Sequence, residues 1–289
     1  MTQIHDVTCG QFAWREVSPV GHAETIVLLH GLGGSRMSWE PQLVGLSAQH
    51  RVIAWDLPGY GESKALEGPT TFTALADAVA DLVTVLCEPT VHLVGISFGS
   101  MIAQYAAAQH PSVVASLTLL ATSPKFGLDG TRPDDWRAAR LAPLDQGLEP
   151  ADIAERVLAM LAGPNITTAA MTGQVKAMSR VSAAALRRSI DCLITHDSSS
   201  ILPTIVAPTL CLVGDLDHET PPSYATAVAD LIPGARLSLI EGAGHLLNVE
   251  APDSVNGAIR DHIARAVADL DLDVDPDVDL DLDLDRSSS

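Results

Sequence analysis

The chain is predicted to be an α/β protein, a mostly parallel sheet with helices on both faces, and three observations predict it. Short apolar runs rich in β-branched residues recur at 26–29, 51–55, 91–96, 115–120, 209–213 and 235–240. Stretches of helical character at 72–86 and 98–109, with others starting at Pro222 and Pro252, alternate with them. Strands covered on both faces read as continuous apolar runs, and an intervening helix carries the chain back to start a parallel neighbour. Third, 289 residues with 47% hydrophobic content supply the core of one elaborated domain.

Taken in order, the run at 26–29 leads into His30-Gly31-Leu32-Gly33-Gly34. A glycine-rich turn after a strand leaves backbone N–H groups free to meet an anion, so the N–H of Leu32 is a candidate oxyanion donor. His30 beside it reads as structural. The strand at 51–55 runs into AWDLPGYGES.

The segment VHLVGISFGSMIAQYAA carries the strongest signal, with Ser97 between Gly95 and Gly99 at the junction of strand 91–96 and helix 98–109. A sharp turn there strains the central residue and brings its neighbours against adjacent main chain, hence glycine two places before and after. Ser97 is the candidate nucleophile. The new helix points its free N–H groups at the same place, which makes the N–H of Phe98 the second oxyanion donor; each donor is worth about 3 kcal/mol in a transition state.

A nucleophilic serine needs a base, and the best of ten histidines is His245 in LIEGAGHLLNVEAP, a glycine-rich loop after strand 235–240. The base needs an orienting carboxylate, and PTLCLVGDLDHETP offers Asp215 and Asp217 just past strand 209–213. Helix starts carry their usual signals at Thr220-Pro221 and Ala251-Pro252-Asp253.

Together these segments resemble the α/β-hydrolase family, whose order of nucleophile, acid and base is matched by Ser97, Asp217 and His245. The resemblance covers most of the chain and extends to AWDLPGYGES, where Asp56, Gly59, Gly61 and Ser63 match a family turn whose role is structural. It selects Asp217 over Asp215, because the family's acid stands three residues after the strand-end glycine, here Gly214, and shortly before a helix start. Asp215 is then expected to cap the turn. The family's other position for the acid, after strand 117–120, reads ATSPK here and holds no carboxylate.

Between 125 and 200 the alternation stops, and helical segments at 132–141, 152–161 and 182–194 follow one another without strands. The resemblance implies a helical cap over the site at this point, with residues 1–124 and 201–268 as the core. Trp136, Met160, Met171 and Met178 are the candidate pocket-lining residues. The cap carries nine Lys/Arg and nine Asp/Glu against a net charge of −19 for the chain, so Arg137, Arg180 or Arg187 is a candidate for holding a substrate carboxylate.

The end of the chain, ADLDLDVDPDVDLDLDLDRSSS, holds nine Asp and one Arg. Alternation imitates a strand, yet aspartate, Pro276 and the row of like charges disfavour a sheet, so 269–289 reads as an acidic, disordered tail. Such acidity argues against nucleic-acid binding. No apolar run approaches the roughly 18 residues of a membrane span, and MTQIHDVTCGQF lacks a basic or apolar leader, so a cytoplasmic protein is expected. The four cysteines, at 9, 87, 192 and 211, have no ligand spacing and read as reduced thiols.

No cofactor or metal is implied, and no GxGxxG, GxxxxGK or HExxH occurs. Serine at position 97 also sets the chain apart from the dehalogenases and epoxide hydrolases of this superfamily, which have aspartate there. The expectation is an ester or lactone hydrolase working through an acyl-enzyme, similar to the enol-lactonase and small-ester branch, with a small-molecule substrate. Carbon–carbon hydrolysis and cofactor-free perhydrolysis use the same triad, and a ligand receptor on this fold is a further alternative.

Overall fold

The computed structural model describes residues 3–22 and 24–273. Eight strands form one sheet: β1 (His5–Cys9), β2 (Phe12–Val17), β3 (Thr25–Leu29), β4 (Arg51–Trp55), β5 (Val91–Ile96), β6 (Val114–Leu120), β7 (Thr209–Gly214) and β8 (Arg236–Ile240). Their order across the sheet is β1-β2-β4-β3-β5-β6-β7-β8, antiparallel at the β1–β2 and β2–β4 pairs and parallel elsewhere. The β1–β2 hairpin has no counterpart in the sequence reading. HDVTC lacks an apolar face because β1 is a largely exposed edge strand.

The helices are α1 (Glu40–Gly45), α2 (Phe72–Val85), α3 (Phe98–Gln109), α4 (Pro133–Asp145), α5 (Pro150–Leu161), α6 (Thr168–Met178), α7 (Ala183–Leu193), α8 (Pro222–Leu231), α9 (Leu247–Glu250) and α10 (Pro252–Asp273). Helices cover both faces of the sheet, and alternation along β3 shows how the core divides. Val27 and Leu29 join one buried cluster with α2 and α3, whereas Ile26 and Leu28 join a second with Trp39, Leu43, Val255 and Ile259. A strand with period 2 whose every residue is apolar must be covered twice. Each such side chain contributes roughly 1.5–3 kcal/mol of burial.

Strand order places the site. From β3 the chain crosses to β4 on one side and later to β5 on the other, so the loops leaving the C-terminal ends of β3 and β5 diverge and leave a crevice between them. Residues 30–34 and Ser97 lie at those two ends.

Four helices, α4 to α7, separate β6 from β7. Where this insertion leaves and rejoins the core, its two stems are bound to each other and to α3. Buried Gln104 donates to Thr122 Oγ1 (2.7 Å) and Ser123 O (3.1 Å) on one stem, and its Oε1 accepts from Ser198 Oγ (2.6 Å) on the other. Ser198 N also donates to Pro124 O (2.8 Å), and Phe126 N to His196 O (2.8 Å).

Helix α10 runs through Asp273, into the segment read from sequence as a tail. Residues 274–289 lie outside the described residues, and so does the expectation of disorder there. Among the described residues no helix is long and apolar enough to cross a membrane.

Two buried imidazoles give the fold a pH dependence. Burial pushes the pKa of His92 down to about 4, with His50 and His262 adding positive charge nearby, and burial likewise pushes His196 down to about 4. Each keeps one ring nitrogen buried without a partner, Nε2 of His92 and Nδ1 of His196. Between pH 6.5 and 4 the unfolded chain therefore binds protons that the native state refuses, so stability falls as pH drops through that window. Each group is expected to contribute on the order of 2–3 kcal/mol of loss by pH 4. Urea unfolding from pH 7.5 to 4.5, on wild type and His196→Gln, checks this: the variant should lose less stability across the window.

Candidate active site

Strand β5 is buried along its whole length to Ile96, and α3 starts at Phe98, so one residue makes the whole turn. That residue, Ser97, has φ 53° and ψ −119°, backbone strain that the neighbours over-determine. Its N–H is tied to Leu120 O (2.9 Å) on β6, and its carbonyl accepts from Ser100 N (2.9 Å), Ser100 Oγ (2.6 Å) and Met101 N (3.1 Å). A Cβ on Gly95 would strike the Gly99 carbonyl, and one on Gly99 would strike the Leu29 carbonyl. The elbow thus packs backbone on backbone, as the two glycines flanking Ser97 suggest.

The loop after β3 lies against it. His30 is fully buried: Leu57 N donates to its Nε2 (3.1 Å), so Nδ1 carries the proton and donates to Gly31 O (2.9 Å). Burial also holds its pKa below the ordinary value, so His30 is a neutral spacer between this loop and the turn at residue 57. That turn is pinned by Asp56, which accepts from Arg36 N (2.8 Å) and Glu62 N (3.4 Å). Gly34 N closes the loop onto Gly31 O (3.0 Å), whereas the N–H groups of Leu32 and Phe98 find no acceptor among the described residues. Two free donors next to the Ser97 elbow are what an oxyanion requires.

Strand β7 ends at Gly214, and the following turn separates the two aspartates. Asp215 Oδ1 accepts from Gly242 N (2.7 Å) and joins this turn to the loop after β8. Asp217 points the other way and is buried. Its Oδ1 accepts from Glu219 N and Thr220 N (both 2.9 Å), and its Oδ2 from Thr220 Oγ1 and His245 Nδ1 (both 2.9 Å). Burial alone would raise the Asp217 pKa, but His245 and the Thr220 donors outweigh it and hold the carboxyl below its ordinary value. His245 is the mirror case: burial opposes its charge, yet Asp217, helped by Glu219 and Glu250, raises its pKa. Since Nδ1 faces Asp217, Nε2 is left for the cavity. Ser97 and His245 line the same cavity, and Ser97 Oγ makes no hydrogen bond to the ring in this structure. Such contacts are commonly long without substrate and tighten when one binds.

The cavity holds about 380 Å³ between this floor and the helices of the insertion. Trp136, Met160 and Met178 line it as the sequence suggests, and Met178 packs over Gly33. Met171 does not: it lies on the same face of α6 as Met178, two turns nearer the start of the helix, where it is partly buried against the main core. Arg137 and Arg187 are likewise absent from the lining, ion-paired on the surface with Asp191 and Asp145 (both 2.6 Å), and Arg180 is absent from it too. The arginines that do line the cavity are Arg140, which pairs with Glu219 (3.2 Å) and stacks over Trp136 (5.0 Å), and Arg156. Sequence gave no reason to prefer them, since they differ from their neighbours only in helical phase.

Comparison with known proteins settles the kinship. A family model described as "Alpha/beta hydrolase family" matches residues 26–258. The chain belongs to the alpha/beta hydrolase family. Among its curated relatives is the pimeloyl-[acyl-carrier protein] methyl ester esterase of Chromobacterium violaceum, 31% identical over 253 residues, covering 86% of this chain and 97% of that protein. The "Putative non-heme bromoperoxidase BpoC" of Mycobacterium tuberculosis is also 31% identical, over 257 residues, with the same coverage. The crystal structure of the enol-lactonase from Burkholderia xenovorans LB400 superposes with a TM-score of 0.77 over 90% of this chain and 100% of that one, at 23% identity, a likeness of fold. The mostly parallel eight-stranded sheet with its helices is thus that of an alpha/beta hydrolase.

Proposed function

We propose that this alpha/beta hydrolase is a serine esterase or lactonase that works through an acyl-enzyme. The observation that supports the reading best is the bond from His245 Nδ1 to the buried, fully hydrogen-bonded Asp217 carboxylate, in a cavity that Ser97 also lines. Asp217 fixes the tautomer in which Nε2 is free to take a proton. Ser97 Oγ adds to the carbonyl carbon while its proton passes to Nε2, and the carbonyl electron pair moves onto oxygen between the N–H groups of Leu32 and Phe98. The imidazolium returns that proton to the leaving oxygen as the ester bond breaks. Water then attacks the acyl-enzyme by the same proton path in reverse, releasing the acid and Ser97.

Ile153, Leu158, Leu186, Ile190 and Leu193 in the cavity wall favour an apolar acyl group. Steady-state hydrolysis of nitrophenyl esters from acetate to decanoate tests the reading. Multiple turnover with a chain-length optimum supports it, and absence of turnover by the wild type on every ester and on simple lactones would overturn it. The rate should also fall in acid, because protonated His245 cannot act as base. With its pKa held up by Asp217, the acid limb of kcat/KM is expected above the ordinary histidine value.

A further inference from the structure

One carboxylate in the site is unclaimed by this chemistry. Glu250, at the end of α9, is half-buried, and its two oxygens collect three backbone N–H groups. Oε1 accepts from Leu246 N (3.0 Å), and Oε2 from Gly244 N (2.8 Å), so the bonds bracket His245 on both sides. The third donor to Oε2 is Gly163 N (2.9 Å), which belongs to the insertion, in the loop between α5 and α6.

That loop and the base loop touch elsewhere. His245 N donates to Leu161 O (3.1 Å), and Asn165 Nδ2 to Gly242 O (2.9 Å). A Cβ on Gly163 would meet Glu250 Oε2 and the Gly244 backbone, and one on Gly244 would meet the Gly163 backbone, so the two loops are pressed main chain to main chain. A neutral peptide surface could not gather three N–H groups at one point. A carboxylate, with four lone-pair sites and a charge, does so with the stronger kind of hydrogen bond.

We propose that Glu250 is a positioning residue that clasps the insertion to the base loop, so that His245 is presented to Ser97 only while the insertion is seated over the cavity. The mechanical part stands on geometry alone; its consequence for rate rests on the reading of His245 as base. The groups facing the ring are Asp217 and Glu219 from the loop after β7, Glu250 from α9 and Ser97 from the elbow, with Arg140 of α4 paired to Glu219.

Glu250→Gln tests it, because the isosteric amide must turn a donor toward one of the three N–H groups. Hydrogen exchange of the folded full chain is expected to speed up about tenfold or more in residues 161–166 and 243–247 together. On a turned-over ester, kcat is expected to fall on the order of 10- to 100-fold with a smaller change in KM. The acid limb of kcat/KM should move to lower pH, since a charge that raises the His245 pKa is gone, a shift that loss of packing alone would not produce. Faster exchange in 243–247 alone, or an unchanged kcat and acid limb, would overturn the clasp. Should the variant fail to fold, Asn165→Ala removes a second bond between the same loops, and it too is expected to loosen both segments; exchange unchanged in either overturns the proposal. If no ester is turned over even by wild type, the hydrolase reading fails while the exchange result still decides the clasp.

Discussion

Ser97→Ala is expected to lower kcat by on the order of a millionfold, the cost of removing one member of a concerted triad. No other hydroxyl can take over. Ser100 Oγ is committed to Ser97 O at 2.6 Å in a buried position, and Thr220 Oγ1 donates to Asp217. The free N–H groups of Leu32 and Phe98 survive the change, so a residual acceleration of roughly 10³–10⁴ over water remains. Folding should be undisturbed, because alanine keeps the Cβ and the same strained φ of 53° without adding or losing a buried bond of the side chain. Kinetics on the optimal ester, with thermal unfolding alongside, checks both halves. Activity within a hundredfold of wild type in a folded variant would remove Ser97 from the mechanism.

Asp217→Asn is expected to cost roughly ten-thousandfold in kcat. The structure says which way the amide turns. Two backbone N–H groups, from Glu219 and Thr220, point at Oδ1 and demand an oxygen there, so the NH₂ group replaces Oδ2 and faces His245 Nδ1. A donor at that place favours the tautomer with its proton on Nε2, which cannot accept the proton of Ser97. The variant should also lose the raised His245 pKa. Asp215→Asn leaves an oxygen able to accept from Gly242 N, so its kcat should change by no more than about threefold, the scale of a weakened surface bond. If Asp215→Asn proved the more damaging change, the acid would be the wrong one of the pair.

The legible parts share a reason: their physics is local. A strand-turn-helix with glycine on both sides of a serine states its own strain, and apolar runs without alternation declare strands covered twice. Even Asp215 is separable from Asp217 by its distance from the strand end once the family pattern is applied, and the geometry places the two in different bonds. Position along a helix was the first point of failure. Met171 and Met178 lie seven residues apart on one face of α6, yet only Met178 reaches the cavity, while Met171 packs partly buried against the core. The edge hairpin β1–β2 was the second, since β1 has little buried surface to leave a pattern and β2 interrupts its buried residues with Arg15 and Glu16.

The sequence by itself determined the parallel sheet and the elbow at Ser97, because turn chemistry and burial periodicity are written residue by residue, and with the family resemblance it made Ser97, Asp217 and His245 the candidates. Only the tertiary structure decided which arginines meet the cavity, which methionines line it and what Glu250 holds. Those are contacts between segments far apart in the chain, such as Gly163 with Glu250, and their partners are chosen by how the insertion settles on the sheet rather than by any neighbour in sequence.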